Sequence, residues 1–312
     1  MINSDSSILS SLTDYWDVFM PAPQSTLLKG LTLGLDDLSQ VPEFKQKLIN
    51  TGTIHVAVVS GYNISLVLNI CQTVIGNRVT LRHTLLYIVL SLIYALATGF
   101  EPPIVRAWLM SSILLVAKLS GRSVQGVYVL CFTCILMILT NKSLLTSYSF
   151  VLSSGATLGL LLYSTGINKM MTKYVRVLPN MFISDLSASL AASIIVTPFI
   201  VFAFSRISIF SPLINMVLLW TIPISTILGF LTVFTSFIDI YMHTQFAPFV
   251  FFVCYPFLTI FVYGIDFMGK YEFISSQTNL SATKLICYYL LLVVLTVIFS
   301  RRSRGLKCQE KI

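Results

Sequence analysis

The sequence predicts an all-α integral membrane protein: a polytopic helical bundle of about nine transmembrane helices, some kinked or re-entrant. Three observations lead there. The 312-residue chain is 56% hydrophobic and only 10% charged, with a mean hydropathy of +0.86; a soluble domain carries about 25% charged residues. Apolar runs follow one another from residue 53 to residue 300, at lengths close to the roughly 20 residues needed to cross a bilayer. Lys and Arg gather on alternate connections between those runs, as the positive-inside rule demands.

Residues 1–52 are predicted as a polar N-terminal segment on the outer side. They hold Asp5, Asp14, Asp17, Asp36, Asp37 and Glu43, and lack the basic start and short apolar core of a signal peptide. Within them, residues 27–50 have the look of a short amphipathic segment outside the bilayer. The membrane domain then spans residues 53–300. Its crossings are placed at 53–75, 84–99, 103–119, 123–140, 146–165, 182–204, 212–235, 247–268 and 284–300. The second to fourth are short enough to be half-spans or re-entrant. Residues 301–312 form a basic tail.

Nine crossings with a cytoplasmic tail put the N-terminus outside. The inner connections then carry Arg78, Arg82, Lys118, Arg122, Lys169, Lys173 and Arg176, and the tail carries Arg301, Arg302, Arg304, Lys307 and Lys311. The outer connections between spans hold only Lys142, Arg206, Lys270 and Lys284. The inner connection near Asp239 is an exception, having no basic residue. The net charge of +8 needs no further explanation than this bias.

Three clusters interrupt the apolar pattern. The first is TIHVAVVSGYNISLVLNI, residues 53–70, with His55, Ser60, Gly61 and Asn63 inside a spanning segment. Such groups need a partner or water. Glycine permits local unwinding. On an ideal helix His55 and Asn63 fall about 80° apart and share a face. A polar stripe facing a conduit and interhelical hydrogen bonds that merely pack the bundle both fit.

The second cluster is ATGFEPPIVRAWLM, residues 97–110. Gly99 and Phe100 end one helix, and Pro102 and Pro103 begin the next, where a missing N–H costs nothing. Arg106 lies one turn in. It either pairs with Glu101, snorkels, or contacts phosphate at a pore mouth, since the guanidinium fork suits phosphate. The third cluster spans residues 189–229, with Pro198, Pro212, Asn215, Pro223 and Gly229 among small residues. It suits an irregular, water-accessible interior, or close helix packing.

Other chemistry is disfavoured. Cys131 and Cys134 form a CxxC inside the apolar run VYVLCFTCILMIL, where thiolates are unfavourable. His55, His83 and His243 are far apart, so no metal centre is expected. No paired carboxylates or Ser/His/Asp set lies at matching depth, so the chain is not expected to be an enzyme, and no cofactor is called for. The aromatics of the seventh and eighth spans are explained by interfacial belts and lipid contact more simply than by base stacking.

In order, the clusters resemble the competence domain of the ComEC/Rec2 family. GTIHVAVVSGYNISLV stands where that family has a GLxHLLAISGLHVGLV-like segment. LATGFEPPIVRAWLM stands for its LTGFSPSxVRAALM, FVLSSGATLGLLL for QLSFLATLGLLL, and residues 189–218 for its final SLAA…SPLxNLL pattern. The likeness covers roughly residues 25 to 300. It implies an inner-membrane channel that passes single-stranded DNA into the cytoplasm during natural transformation. His55, Ser60, Gly61, Gly99, Pro103, Arg106, Pro198, Pro212 and Asn215 match its pattern. Asn63 departs from a common His, and Glu101 from a small polar residue. As expectations, His55, Ser60, Gly61, Asn63, Gly99, Pro103, Arg106 and Asn215 line the DNA path. The soluble accessory domains of longer members find no room here. A separate DNA receptor, nuclease and cytoplasmic helicase-like ATPase are therefore implied as partners, because the chain has no GxxxxGK[ST] loop. One chain or a homodimer could form the pore. A small-solute transporter, or a non-conducting scaffold, is the alternative.

Overall fold

The computed structural model describes residues 3–57, 60–175, 179–271, 275–277 and 280–309. Arg176 and Lys311, counted above with the inner basic residues, lie outside them. Among the described residues the chain is almost wholly helical. The helices are α1 (Asn3–Phe19), α2 (Gln24–Leu33), α3 (Pro42–Thr51), α4 (Gly61–Ile75), α5 (Leu81–Ala97), α6 (Pro102–Leu119), α7 (Gly126–Thr140), α8 (Tyr148–Tyr174), α9 (Asn180–Phe204), α10 (Ser211–Leu218), α11 (Thr221–Met242), α12 (Ala247–Met268) and α13 (Ala282–Gln309). Six segments are long and apolar enough to cross a membrane, and α5, α7 and the apolar part of α13 are shorter apolar helices. These correspond to the nine predicted crossings.

Local chemistry sets many boundaries. Proline opens α3, α6, α10 and α12 in the first turn, where its missing N–H is harmless. Thr80 and Ser147 accept bonds from the first turns of α5 and α8. Three expectations need correction. The span 53–75 is broken: a 3₁₀ turn, Ile54–Val56, precedes a helix that starts only at Gly61. The span 212–235 is split into α10 and α11. Pro223 cannot donate to the carbonyl of Leu219, so the helix turns just before it. The basic tail is not a separate piece of chain, since α13 continues through it to Gln309.

A fourth departure from expectation concerns the N-terminal segment. Every residue of α2 from Gln24 to Thr32 is buried, so this stretch is not an amphipathic surface helix. Leu27, Leu28 and Leu31 join Trp16 and Met20 of the α1 region, and Leu258 and Phe261 of α12, in the main hydrophobic core. α3, by contrast, buries only Phe44, Leu48 and Thr51.

The direction of this segment follows from its contacts. Consecutive helices from α4 to α9 pack as antiparallel neighbours, so their connections alternate between two ends of the bundle. One end carries the α5–α6 turn; the other carries the α8–α9 connection. Tyr163 of α8 bonds Thr296 of α13 at 2.7 Å, and Tyr289 bonds the carbonyl of Ile195 at 2.7 Å. Ile195 packs on Gly155 of α8. α13 is therefore parallel to α8 and finishes at the α8–α9 end. A two-stranded antiparallel sheet pairs β1 (Arg206–Ser208), just after α9, with β2 (Ser275–Gln277), beyond α12. That pairing places the α11–α12 turn at the same end as the finish of α13.

Asp239, near that turn, holds the N-terminal segment. It accepts from the Tyr15 hydroxyl at 3.1 Å, from Thr244 Oγ1 at 2.5 Å, and from the backbone N–H groups of Phe246 and Ala247 at 3.0 and 2.7 Å. It thereby caps α12 and anchors α1 at once. Trp16 Nε1 donates to Ser236 Oγ at 3.0 Å. These bonds place the C-terminal part of α1 at this end. Gly34, closing α2, packs on Thr98 at the opposite end. Residues 15–34 thus run the length of the bundle. The C-terminal part of α1 therefore lies at the end where α13 finishes.

Two outcomes are expected. Reporters placed beside Tyr15 and after α13 should give the same membrane-side readout, and opposite readouts would rule out this path for the segment. Replacing Asp239 by Ala strands the α12 N–H groups and should cost roughly 1–3 kcal/mol, seen as a lower melting temperature of the detergent-purified protein.

Candidate functional site at the broken helix

The helix break and the α5–α6 turn come together. Gly99 (φ +89) and Phe100 (φ +54) make the reversal, a conformation in which glycine carries no Cβ penalty. Pro102 and Pro103 then launch α6 in a fixed direction. This brings Arg106 and Ala107 against the start of α4. A Cβ on Gly61 would lie 3.0 Å from Ala107 Cβ, 3.3 Å from the Pro103 carbonyl oxygen and 3.5 Å from Arg106 Nη2. Gly61 is thus the residue that lets α4 and α6 meet at their first turns. Ser60 precedes it in extended conformation and makes no side-chain cap bond.

Arg106 is the unusual group. It is buried, with 8% of its surface exposed. Its Nε and Nη1 have no hydrogen bond partner, and no described residue forms a salt bridge with it. The expected pairing with Glu101 does not form. Glu101 is exposed at the N-cap of α6, and Arg106 does not snorkel to solvent. The near polar neighbour from another helix is Cys134 of α7, whose Sγ lies 3.5 Å from Ser154 Oγ of α8. A buried guanidinium with two unused nitrogens is costly unless an anion or water completes it.

On the other side of α4, Asn63 is 2% exposed and donates from Nδ2 to the Leu31 carbonyl at 3.1 Å. This bond ties the broken segment to α2. Gly30 of α2 lies directly on the Ala57 carbonyl, with no space for a side chain. The Tyr94 hydroxyl of α5 neighbours Asn63 and is itself buried without a hydrogen bond partner.

The remaining expected residues lie apart from this junction. His55 belongs to the 3₁₀ turn, is exposed, and meets the Gly52 carbonyl through Nδ1 at 3.2 Å. The break before Gly61 removes the continuous helix on which His55 and Asn63 would have shared a face. Asn215 of α10 donates to Ser189 of α9 at 2.9 Å, and its Oδ1 is buried without a partner. Asp185, one turn before Ser189 on α9, is half-buried and lies close enough to Tyr62 of α4 to act on it electrostatically. Leu31, Tyr94, Cys134, Ser154 and Asp185 were not anticipated. Only Asp185, a lone carboxylate in an apolar run, had a signal that hydropathy reading could have used. No group of three His, Cys, Asp or Glu able to hold a metal exists among the described residues.

The fold and this junction define a polytopic α-helical membrane protein with a buried, unpaired arginine beside a broken helix. The chain belongs to the competence protein family, whose pattern it matches over residues 31–302. It is also similar to ComE operon protein 3 of Bacillus subtilis (strain 168), with 24% identity over 214 residues. The match covers 68% of this chain but 26% of that relative, so the chain corresponds to about a quarter of the longer protein. No solved structure matches the chain significantly.

Packing at Gly61 gives a direct test. Gly61→Leu should overpack the α4–α6 contact at a cost of about 1–3 kcal/mol. Gly61→Ala should be milder and should recover when combined with Ala107→Gly. Equal melting temperatures for all four proteins would show that the two first turns do not touch.

Proposed function

We propose that this chain passes single-stranded DNA across the bacterial cytoplasmic membrane, with the α4–α6 junction on the strand's path. One observation carries the reading: Arg106 is buried at the broken helix with two guanidinium nitrogens unpartnered. A phosphate diester is an acceptor that would satisfy that fork bidentately. Family membership supplies the substrate class. Gly61 and Asn63 would shape the narrow part of the path, and Asn215 would offer its free oxygen further along.

In this arrangement the tail end of the bundle faces the cytoplasm, as its Lys and Arg content favours. The C-terminal part of α1 would lie there too, in place of the outside position expected from the sequence. Driving force is supplied by another protein, a helicase-like ATPase on that side. A separate receptor would deliver DNA, and a separate nuclease would remove the second strand. One phosphate contact suits transport, because many would hold the strand too tightly to move it.

The test is Arg106→Gln, which keeps size and hydrogen bonding but removes the charge, compared with Arg106→Lys. In cells given fluorescent DNA, Arg106→Gln should leave surface-bound DNA and protein abundance unchanged. Entry into the cytoplasm should fall about tenfold or more, the equivalent of a 1–2 kcal/mol charge-assisted contact. Arg106→Lys should fall between the two. Undiminished entry in Arg106→Gln would remove Arg106 from the path.

A further inference from the structure

At the opposite end of α4 and α6 lies a second polar cleft, unrelated to the broken helix. Gln72 of α4, Asn77 and Arg78 of the α4–α5 connection, Thr84 and Tyr87 of α5, and Lys118 of α6 surround it. Lys118 Nζ reaches Asn77 Oδ1 at 3.4 Å, and the Tyr87 hydroxyl donates to the Gly76 carbonyl, fixing the connection across the cleft. Arg78 and Lys118 are both exposed. No carboxylate lines the cleft. Between Glu43 and Asp185 the sequence holds a single acid, Glu101, and it stands at the far end of α6. Among the described residues neither Arg78 nor Lys118 forms an ion pair.

The surroundings say what kind of anion fits. Val74, Val79, Leu81 and Leu85, on α4, the connection and α5, are all exposed beside the cations, Val74 by 79%. A pair of cations bordered by exposed aliphatic side chains matches a phosphate with acyl chains attached. Nucleic acid would want an exposed aromatic platform, but Tyr87 is buried with its hydroxyl engaged. We propose that this cleft between α4, α5 and α6 binds the phosphate of an anionic phospholipid, with Arg78 and Lys118 on the headgroup and Val79, Leu81 and Leu85 along the chains. The assignment requires only that the bundle sit in a bilayer, and stands whether or not DNA passes the α4–α6 junction. Cationic clefts between spanning helices recognise lipid headgroups through this combination.

The test uses the purified full chain in nanodiscs of phosphatidylcholine alone, or of equal parts phosphatidylcholine and phosphatidylglycerol. Retained lipid is counted by native mass spectrometry, and the melting temperature is recorded. The wild type should retain phosphatidylglycerol in preference and melt higher with it. The Arg78→Gln, Lys118→Gln double variant should lose about tenfold or more of that preference. Arg78→Lys with Lys118→Arg should keep it, as should Lys142→Gln at the other end of the bundle. No preference in the wild type, or full preference in the double Gln variant, overturns the proposal. Two competitors separate the other sources of phosphate. If inorganic phosphate reproduces the stabilisation, the apolar border plays no part. If a single-stranded oligonucleotide displaces the lipid from the wild type, the cleft belongs to nucleic acid.

Discussion

Polar groups carried into the apolar bundle must be met there by other groups of the chain, and the N-terminal segment shows the consequence. Lys29, buried in α2, pairs with Asp17 at 2.6 Å. Tyr15 and Trp16 bond Asp239 and Ser236, and the Leu31 carbonyl receives Asn63. The first contact ties α2 to α1, and the other three join α1 or α2 to helices farther along the sequence. Because no water is at hand in such an interior, these bonds are obligatory rather than decorative. They fix the segment's path from the α11–α12 turn to Thr98, and through that path they fix where α4 breaks.

Arg106 differs from the other buried groups without a partner, such as Tyr94 and Asn215, in carrying a charge. The same bundle that finds four donors for Asp239 leaves two guanidinium nitrogens of Arg106 without acceptors. Glu101 is the partner that the sequence suggests. Yet it sits as the exposed N-cap, beyond the Pro102–Pro103 step that turns α6 inward. The prolines start the helix, and Glu101 at its N-cap stands five residues before Arg106, outside the spacing of three or four at which helical side chains pair.

Much of this was legible in the sequence, and the rest was hidden for physical reasons. Apolar runs gave the nine crossings, since hydropathy reports the solvent a helix faces. The α5–α6 reversal was visible because Gly99, Pro102 and Pro103 each restrict the backbone in a known way. α2 was misread because Lys29 and its neighbouring polar residues lower the apparent hydropathy of a segment that is covered by protein. Only tertiary contacts reveal that cover. His55 and Asn63 were placed on one face by assuming a continuous helix; the 3₁₀ turn and the break at Gly61 remove that premise. Cys134 reads as a small hydrophobe in its own helix. It becomes Arg106's neighbour only through the packing of α6 on α7.

The two cationic sites at opposite ends of α4 and α6 differ in a way that bears on what each can hold. Arg106 is enclosed, unpaired and next to a glycine whose added Cβ would lie 3.0 Å from Ala107 Cβ. An anion reaching it must displace packed groups, so its occupant has to be brought by force and would leave readily. Arg78 and Lys118 are open to the surroundings and flanked by aliphatic side chains. Their occupant can arrive by diffusion in the membrane and stay. Burial of the charge thus favours a transient ligand at one end, and exposure beside apolar surface favours a resident one at the other. The proposed moving strand and the proposed fixed lipid would meet those opposite demands.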